Sequence, residues 1–132
     1  MNGGRGMEID DAFVKQLAEL GFIAGGYGLL QQTDAIVGAL EVLRPASERP
    51  AVIQATSRLF GRDAAGAERI LRERALAMKP DSALALAWLG LALHLQGRAS
   101  ERDQVLNQVL AAGDADENVR SMAQRLITTP VP

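Results

Sequence analysis

Residue types that carry chemistry are sparse in this 132-residue chain. His94 is the single histidine and there is no cysteine. A histidine pair for a metal, a thiolate ligand, a cysteine nucleophile and a second base for a triad are therefore all missing. Asp114-Ala115-Asp116-Glu117-Asn118 places oxygens at the first, third and fifth positions of a calcium loop. The glycine such a loop needs at its sixth position is Val119, and the glutamate at its twelfth is Arg125. An inter-helix turn capped by Asp116 is the better reading. Gly25-Gly26-Tyr27-Gly28 has the composition of a phosphate cradle, yet helical spacing precedes it instead of a strand, and no G-x-G-x-x-G or Lys-Ser pair completes it. It reads as a helix terminator. Glu68, Glu73, Glu101 and Asp103 lie among arginines at helical spacing, the pattern of solvated ion pairs and not of a paired acid and base. The chain reads as a protein that is not an enzyme and takes no cofactor.

Composition narrows the class further. Hydrophobic residues make up 48% and aromatic residues 4%, so leucine, alanine, valine and isoleucine must build the core. That mixture favours helix packed on helix. A net charge of −2 with both signs interspersed lacks the basic face that phosphate backbones require, which argues against nucleic acid. No run of 18 uncharged apolar residues occurs, so no membrane insertion is expected. The first seven residues contain one arginine and no apolar segment behind it, unlike a secretory signal, and a cytoplasmic protein is the default expectation.

The elements that position these residues follow from apolar spacing and its interruptions. Residues 1–8 read as a disordered glycine-rich lead. Asp10 or Asp11 caps a first helix to about Ala24, and Thr33 or Asp34 opens a second that Pro45 stops. A third helix begins near Pro50 and ends at Gly61; Asp63 caps a fourth, from Ala64 to Met78. Asp81 or Ser82 caps a fifth through Gln96, and Arg98 or Ser100 starts a sixth that runs to Gly113. Asp116 caps a seventh to about Ile127, and 128–132 reads as a frayed tail.

A repeat runs through these helices. Leu17-Ala18-Glu19-Leu20-Gly21 and Leu86-Ala87-Trp88-Leu89-Gly90 share the pattern L-A-x-L-G, 69 residues apart, and Gly28 and Gly97 follow at the same distance. In register, Leu17, Val52 and Leu86 share the first position, Leu20, Ala55 and Leu89 the fourth, and Gly21, Thr56 and Gly90 the fifth. The motif and its period of about 34 residues resemble the tetratricopeptide repeat. The resemblance covers residues 9–127 and implies an all-α fold of three helical hairpins plus a C-terminal capping helix, stacked into a short right-handed superhelix. The repeats would be about 9–45, 46–80 and 81–114, with the cap at 116–127. Two positions depart from the pattern. The alanine usual in the second helix of each repeat becomes Thr33, Glu68 and Arg102, and the aromatic after the small residue becomes Ala24, Leu59 and Leu93.

Ala39-Leu40-Glu41-Val42-Leu43-Arg44-Pro45 also looks similar to the end of the first helical pair in small three-repeat proteins of bacterial type III secretion, the needle-subunit chaperones and Hrp-type proteins. That resemblance implies a chaperone holding the amphipathic helix of a secreted subunit, with a small helical co-chaperone. The repeat register assigns the groove to Lys15, Ala18 and Phe22, then Ile53, Ser57 and Phe60, then Leu84, Ala87, Trp88, Leu91, His94 and Leu95. So apolar a face suits an amphipathic helix better than a charged peptide. His94 would offer a pH-sensitive contact there, although a half-buried surface histidine is the plainer reading. Two alternatives stand beside this one. The last helix, through Met122 and Leu126, folds back over part of the face, or the face pairs two copies into a homodimeric scaffold.

Overall fold

The computed structural model describes residues 10–132, so the lead expected at 1–8 lies outside the described residues. Among the described residues the chain is all-helical and contains no strand. The helices are α1 (Asp11–Gly26), α2 (Leu30–Leu43), α3 (Arg49–Phe60), α4 (64–78), α5 (Ala83–Leu95), α6 (Ala99–Ala111) and α7 (Glu117–Ile127). Helix α4 runs as Ala64–Ile70, a π-helical segment Leu71–Ala75, and Leu76–Met78.

Short polar side chains start the helices by satisfying free amides. Asp10 accepts from the Ala12 amide at 3.0 Å, Asp63 from Gly66 at 2.8 Å, Ser82 from Ala85 at 3.2 Å and Asp116 from Val119 at 2.8 Å. Pro50 occupies the first turn of α3, where its missing N–H costs nothing. The start of α2 differs from the expectation at Thr33 or Asp34. Gly28 takes φ +69°, which reverses the chain at once, and helix resumes at Leu30. Thr33 is then an interior residue, fully buried, whose hydroxyl donates to the Leu29 carbonyl at 2.6 Å.

Successive helices pair and stack. Helix α1 packs on α2 and α3, α3 on α4, α4 on α5, α5 on α6, and α7 lies against both α5 and α6. The repeated glycines make two of these approaches close. A Cβ on Gly90 would stand 2.9 Å from Cγ of Leu106 in α6, and one on Gly21 would stand 3.0 Å from Ile53 in α3. The main core runs from Ala51 and Val52 through Leu71, Leu89 and Leu93 to Leu106, Val109 and Ala123. Val37, Leu40 and Ile53 form a smaller cluster beneath the first hairpin. Each fully buried leucine or isoleucine contributes about 1.5–3 kcal/mol.

Polar ties lock the layers together at the positions where the repeat departs from alanine. Glu68 of α4 accepts from Arg98 at 2.7 Å and Gln96 at 3.0 Å, joining the second hairpin to the third. Arg102 of α6 donates to the backbone carbonyls of Thr129 at 2.6 Å and Ile127 at 3.4 Å. The tail expected to fray is thereby tied down at Thr129. Arg58 and Asp34 pair at 3.1 Å between the first two hairpins, and Arg74 reaches Glu41 and Gln54.

Candidate functional site

Leu84, Trp88, Leu91 and Leu95 recur at i, i+4, i+7 and i+11, so they share one face of α5. Ala85, Leu86, Leu89, Ala92 and Leu93 turn inward and are buried, which anchors the helix and leaves the four on an open side. Leu95 is 46% exposed there. Trp88 meets Phe60, at the end of α3, edge to face with ring centres 6.5 Å apart; Phe60 remains 52% exposed. Beside Leu91, α7 contributes Met122 and Leu126, and these three border an open cavity of about 500 Å³ with Asn118, Ser121, Arg125 and Thr129. Toward the N-terminus, Val14, Lys15, Ala18 and Phe22 of α1 and Arg49 of α3 line a second hollow of about 340 Å³. Arg49 and Leu84 also border a separate, polar cavity with Glu48, Lys79, Asp114 and Asp116.

The structure divides the twelve residues that the repeat register assigns to a groove. Lys15, Ala18, Phe22, Phe60, Leu84, Trp88, Leu91 and Leu95 lie at least partly open. Ile53, Ser57 and Ala87 are fully buried and His94 is 8% exposed. Ile53 roots the first hairpin against Val37 and Leu40, and the Ser57 hydroxyl donates to the Gln54 carbonyl at 2.7 Å. Ala87 and His94 turn toward the interior, where Arg102 of α6 meets His94, and α5 is apolar around almost its whole circumference. Periodicity alone therefore does not say which flank its neighbours cover. Arg125 is a lining residue that the repeat register does not assign, whereas Met122 and Leu126 stand beside the face as the fold-back alternative expects. Their signal was the stripe Val119, Met122, Ala123, Leu126 on α7, whose inner members Val119 and Ala123 are buried while the outer two wall the cavity.

His94 belongs to the scaffold. Its Nδ1 lies 2.8 Å from Nη1 of Arg102, and since arginine only donates, Nδ1 accepts and the ring is the neutral Nε2–H tautomer. Burial first, and then the charge of Arg102, hold its pKa below the usual 6.5. Glu68 shows the opposite balance. Burial alone would raise its pKa, but hydrogen bonds from Arg72, Gln96 and Arg98 outweigh that and hold it down to about 2. Among the described residues no group of three or more histidines and carboxylates is placed to hold a metal ion.

What the open side offers among the described residues is apolar contact area edged by Lys15, Arg49 and Arg125, with Asp11 and Glu19 beside the first two. A family model described as "Bacterial type III secretion protein (HrpB1_HrpK)" matches residues 5–129. The chain belongs to this family. No curated protein matches it. In this HrpB1_HrpK member, no described helix is long and apolar enough to cross a membrane. The family match and the open apolar side are thus independent observations, one from the whole sequence and one from the packing.

Proposed function

We propose that this chain is a non-enzymatic, tetratricopeptide-type binding protein of a type III secretion system, holding an amphipathic helix of a secreted, needle-like subunit. The observation that carries the reading is the row Leu84, Trp88, Leu91 and Leu95 left open on α5, continued by Phe60 and Phe22 on one flank and Met122 on the other. A helix with apolar residues at i, i+3, i+4 and i+7 presents a complementary ridge. Burying such a ridge keeps a self-assembling subunit from polymerising before export, which would place the complex on the cytoplasmic side, with a small helical co-chaperone as its second partner.

The test is affinity capture of the tagged chain from its native bacterial host, with the co-purifying chains identified. A small secreted helical protein should be recovered with the wild type and lost with Leu91→Glu and Leu95→Glu. Leu91 packs partly on the core, so the more exposed Leu95 supplies the variant that leaves the fold intact, checked by circular dichroism. Normal capture by folded Leu95→Glu would overturn the proposed site. Recovery of the complex from the periplasm alone would overturn the pre-export role.

A further inference from the structure

The cations of this chain fall into two groups. Most are tied into the stack: Arg58 pairs with Asp34, Arg74 with Glu41, Arg98 with Glu68 and Lys79 with Asp114. Among the described residues, the side chains of Lys15, Arg49, Arg62, Arg69 and Arg125 make no ion pair or hydrogen bond, and all five are exposed. Arg69 stands on α4, whereas the other four border the open apolar side.

These four surround the row on α5. Arg49 opens α3 and lies near Leu84, the first of the row; Arg62 follows the end of α3 and borders a hollow with Leu95, the last. A helix of 12 residues spans ~18 Å, so this pair brackets the row lengthwise. Arg125 of α7 stands beside Leu91 on one flank, and Lys15 of α1 beside Phe22 on the other. The neighbouring carboxylates are engaged inside the protein. Asp11 pairs with Arg44, Glu48 accepts from Ser82, Asp114 pairs with Lys79, and Asp63 and Asp116 cap α4 and α7. Glu19, next to Lys15, is the exception. The open side therefore carries a surplus of unpaired positive charge, although the chain as a whole has a net charge of −2.

From this arrangement we infer that the helix held on the open side is acidic along its edges, an apolar ridge flanked by glutamate or aspartate. The inference rests on the reading of that side as a helix-binding groove and names the chemistry of its partner. The ridge buries against Leu84, Trp88, Leu91 and Leu95, and the flanking carboxylates reach Lys15, Arg49, Arg62 and Arg125. A bound carboxylate gives each of these cations the partner that the fold withholds. Rim charges of this kind speed encounter and fix orientation, while the apolar ridge supplies most of the affinity. A helix with lysine or arginine along its edges, the pattern that suits anionic lipid, is repelled by the same four residues.

Two synthetic amphipathic peptides of ~20 residues test this, sharing a leucine ridge at i, i+3, i+4 and i+7 and carrying either glutamate or lysine at the flanking positions. Binding to the full chain is followed by Trp88 fluorescence at ~50 mM and ~500 mM salt. At low salt the glutamate peptide should bind at least ~10-fold tighter, since four exposed pairs contribute about a factor of two each. High salt should shrink that preference severalfold. Lys15→Gln, Arg49→Gln, Arg62→Gln and Arg125→Gln combined should remove most of it, with the helical circular dichroism retained, and Arg69→Gln should leave it unchanged. Equal binding of the two peptides, or tighter binding of the lysine peptide, overturns the acidic partner. So does a preference that survives the folded combined variant or that Arg69→Gln abolishes. In each of these cases the groove itself still stands if Leu95→Glu weakens both peptides. Binding of neither peptide overturns the groove and this inference together. If the combined variant loses helix, salt decides: a preference undiminished at high salt overturns the inference.

Discussion

Arg102 is 4% exposed, yet its guanidinium works on three fronts. Nη1 donates to Nδ1 of His94 at 2.8 Å and to the Thr129 carbonyl at 2.6 Å, Nη2 reaches the Ile127 carbonyl at 3.4 Å, and Nε donates to Asp103 at 3.0 Å. Arg102→Met keeps the length and the apolar stem of the side chain and removes every one of these bonds. Hydrogen bonds from a charged donor contribute about 1.5–3 kcal/mol each, but removing the arginine also removes its own cost of burial. The Thr129 carbonyl can return to water, whereas Nδ1 of His94 is left buried without a donor, which costs about 1–3 kcal/mol. The net expectation is a loss of about 2–4 kcal/mol, or roughly 10 °C in Tm for a chain of this size. Urea melts followed by Trp88 fluorescence would measure it, and hydrogen exchange should show 127–129 losing protection before the rest of α7. Arg102→Lys should recover less than half of the loss, because one ammonium does not span His94 and Thr129 as a planar fork does. A loss below about 0.5 kcal/mol with unchanged protection of α7 would refute the view that Arg102 holds the C-terminal end.

Acidification and a loop substitution give two further checks. His94 is held neutral in the fold, so the unfolded chain binds a proton more readily below pH 6.5; stability is complete above that pH and declines as pH falls through the window beneath it. Glu68 adds a second decline as pH falls from 4.5 toward about 2, worth at most roughly 3 kcal/mol. Its measured signature is that Glu68→Gln flattens the acid limb of stability against pH without altering the limb near pH 6. Arg62 takes φ +67° just after α3, the place held by Gly28 after α1 and Gly97 after α5. A non-glycine residue there is strained by about 1 kcal/mol, so Arg62→Gly should raise the urea midpoint with an unchanged m-value; a lower midpoint would mean that the arginine side chain contributes more than the backbone strain costs.

Three features were readable before the chain was folded, because each depends on neighbours within a few residues. The caps Asp63, Ser82 and Asp116 satisfy amides three positions on, and Gly28 and Gly97 supply the left-handed residue that ends a helix. That Leu84, Trp88, Leu91 and Leu95 share a helix face follows from their spacing, although nearly every face of α5 is as apolar. The all-helical class follows from the apolar spacing of all seven segments.

Contacts between distant segments decided the rest. Helix α5 is apolar on nearly every side, so only the arrival of α6, with Leu106 against Gly90 and Arg102 against His94, turned Ala87 and His94 inward and left Leu91 outside. Leu20, Ala55 and Leu89 hold one register position in the sequence, but only stacking makes two of them core and leaves the first at the surface. Thr33, Glu68 and Arg102 look in the sequence like failures of a repeat that prefers alanine. Folded, Thr33 bonds back to Leu29, Glu68 takes Arg98 and Gln96 from across the layers, and Arg102 takes the carbonyls beyond α7. A buried polar side chain must find its partner, and that partner lies 27 to 30 residues away for Arg102 with Thr129 and Glu68 with Arg98. Local periodicity therefore determined which segments are helices and which faces are apolar; tertiary packing alone decided which apolar faces stay open, because burial belongs to pairs of elements and not to either one.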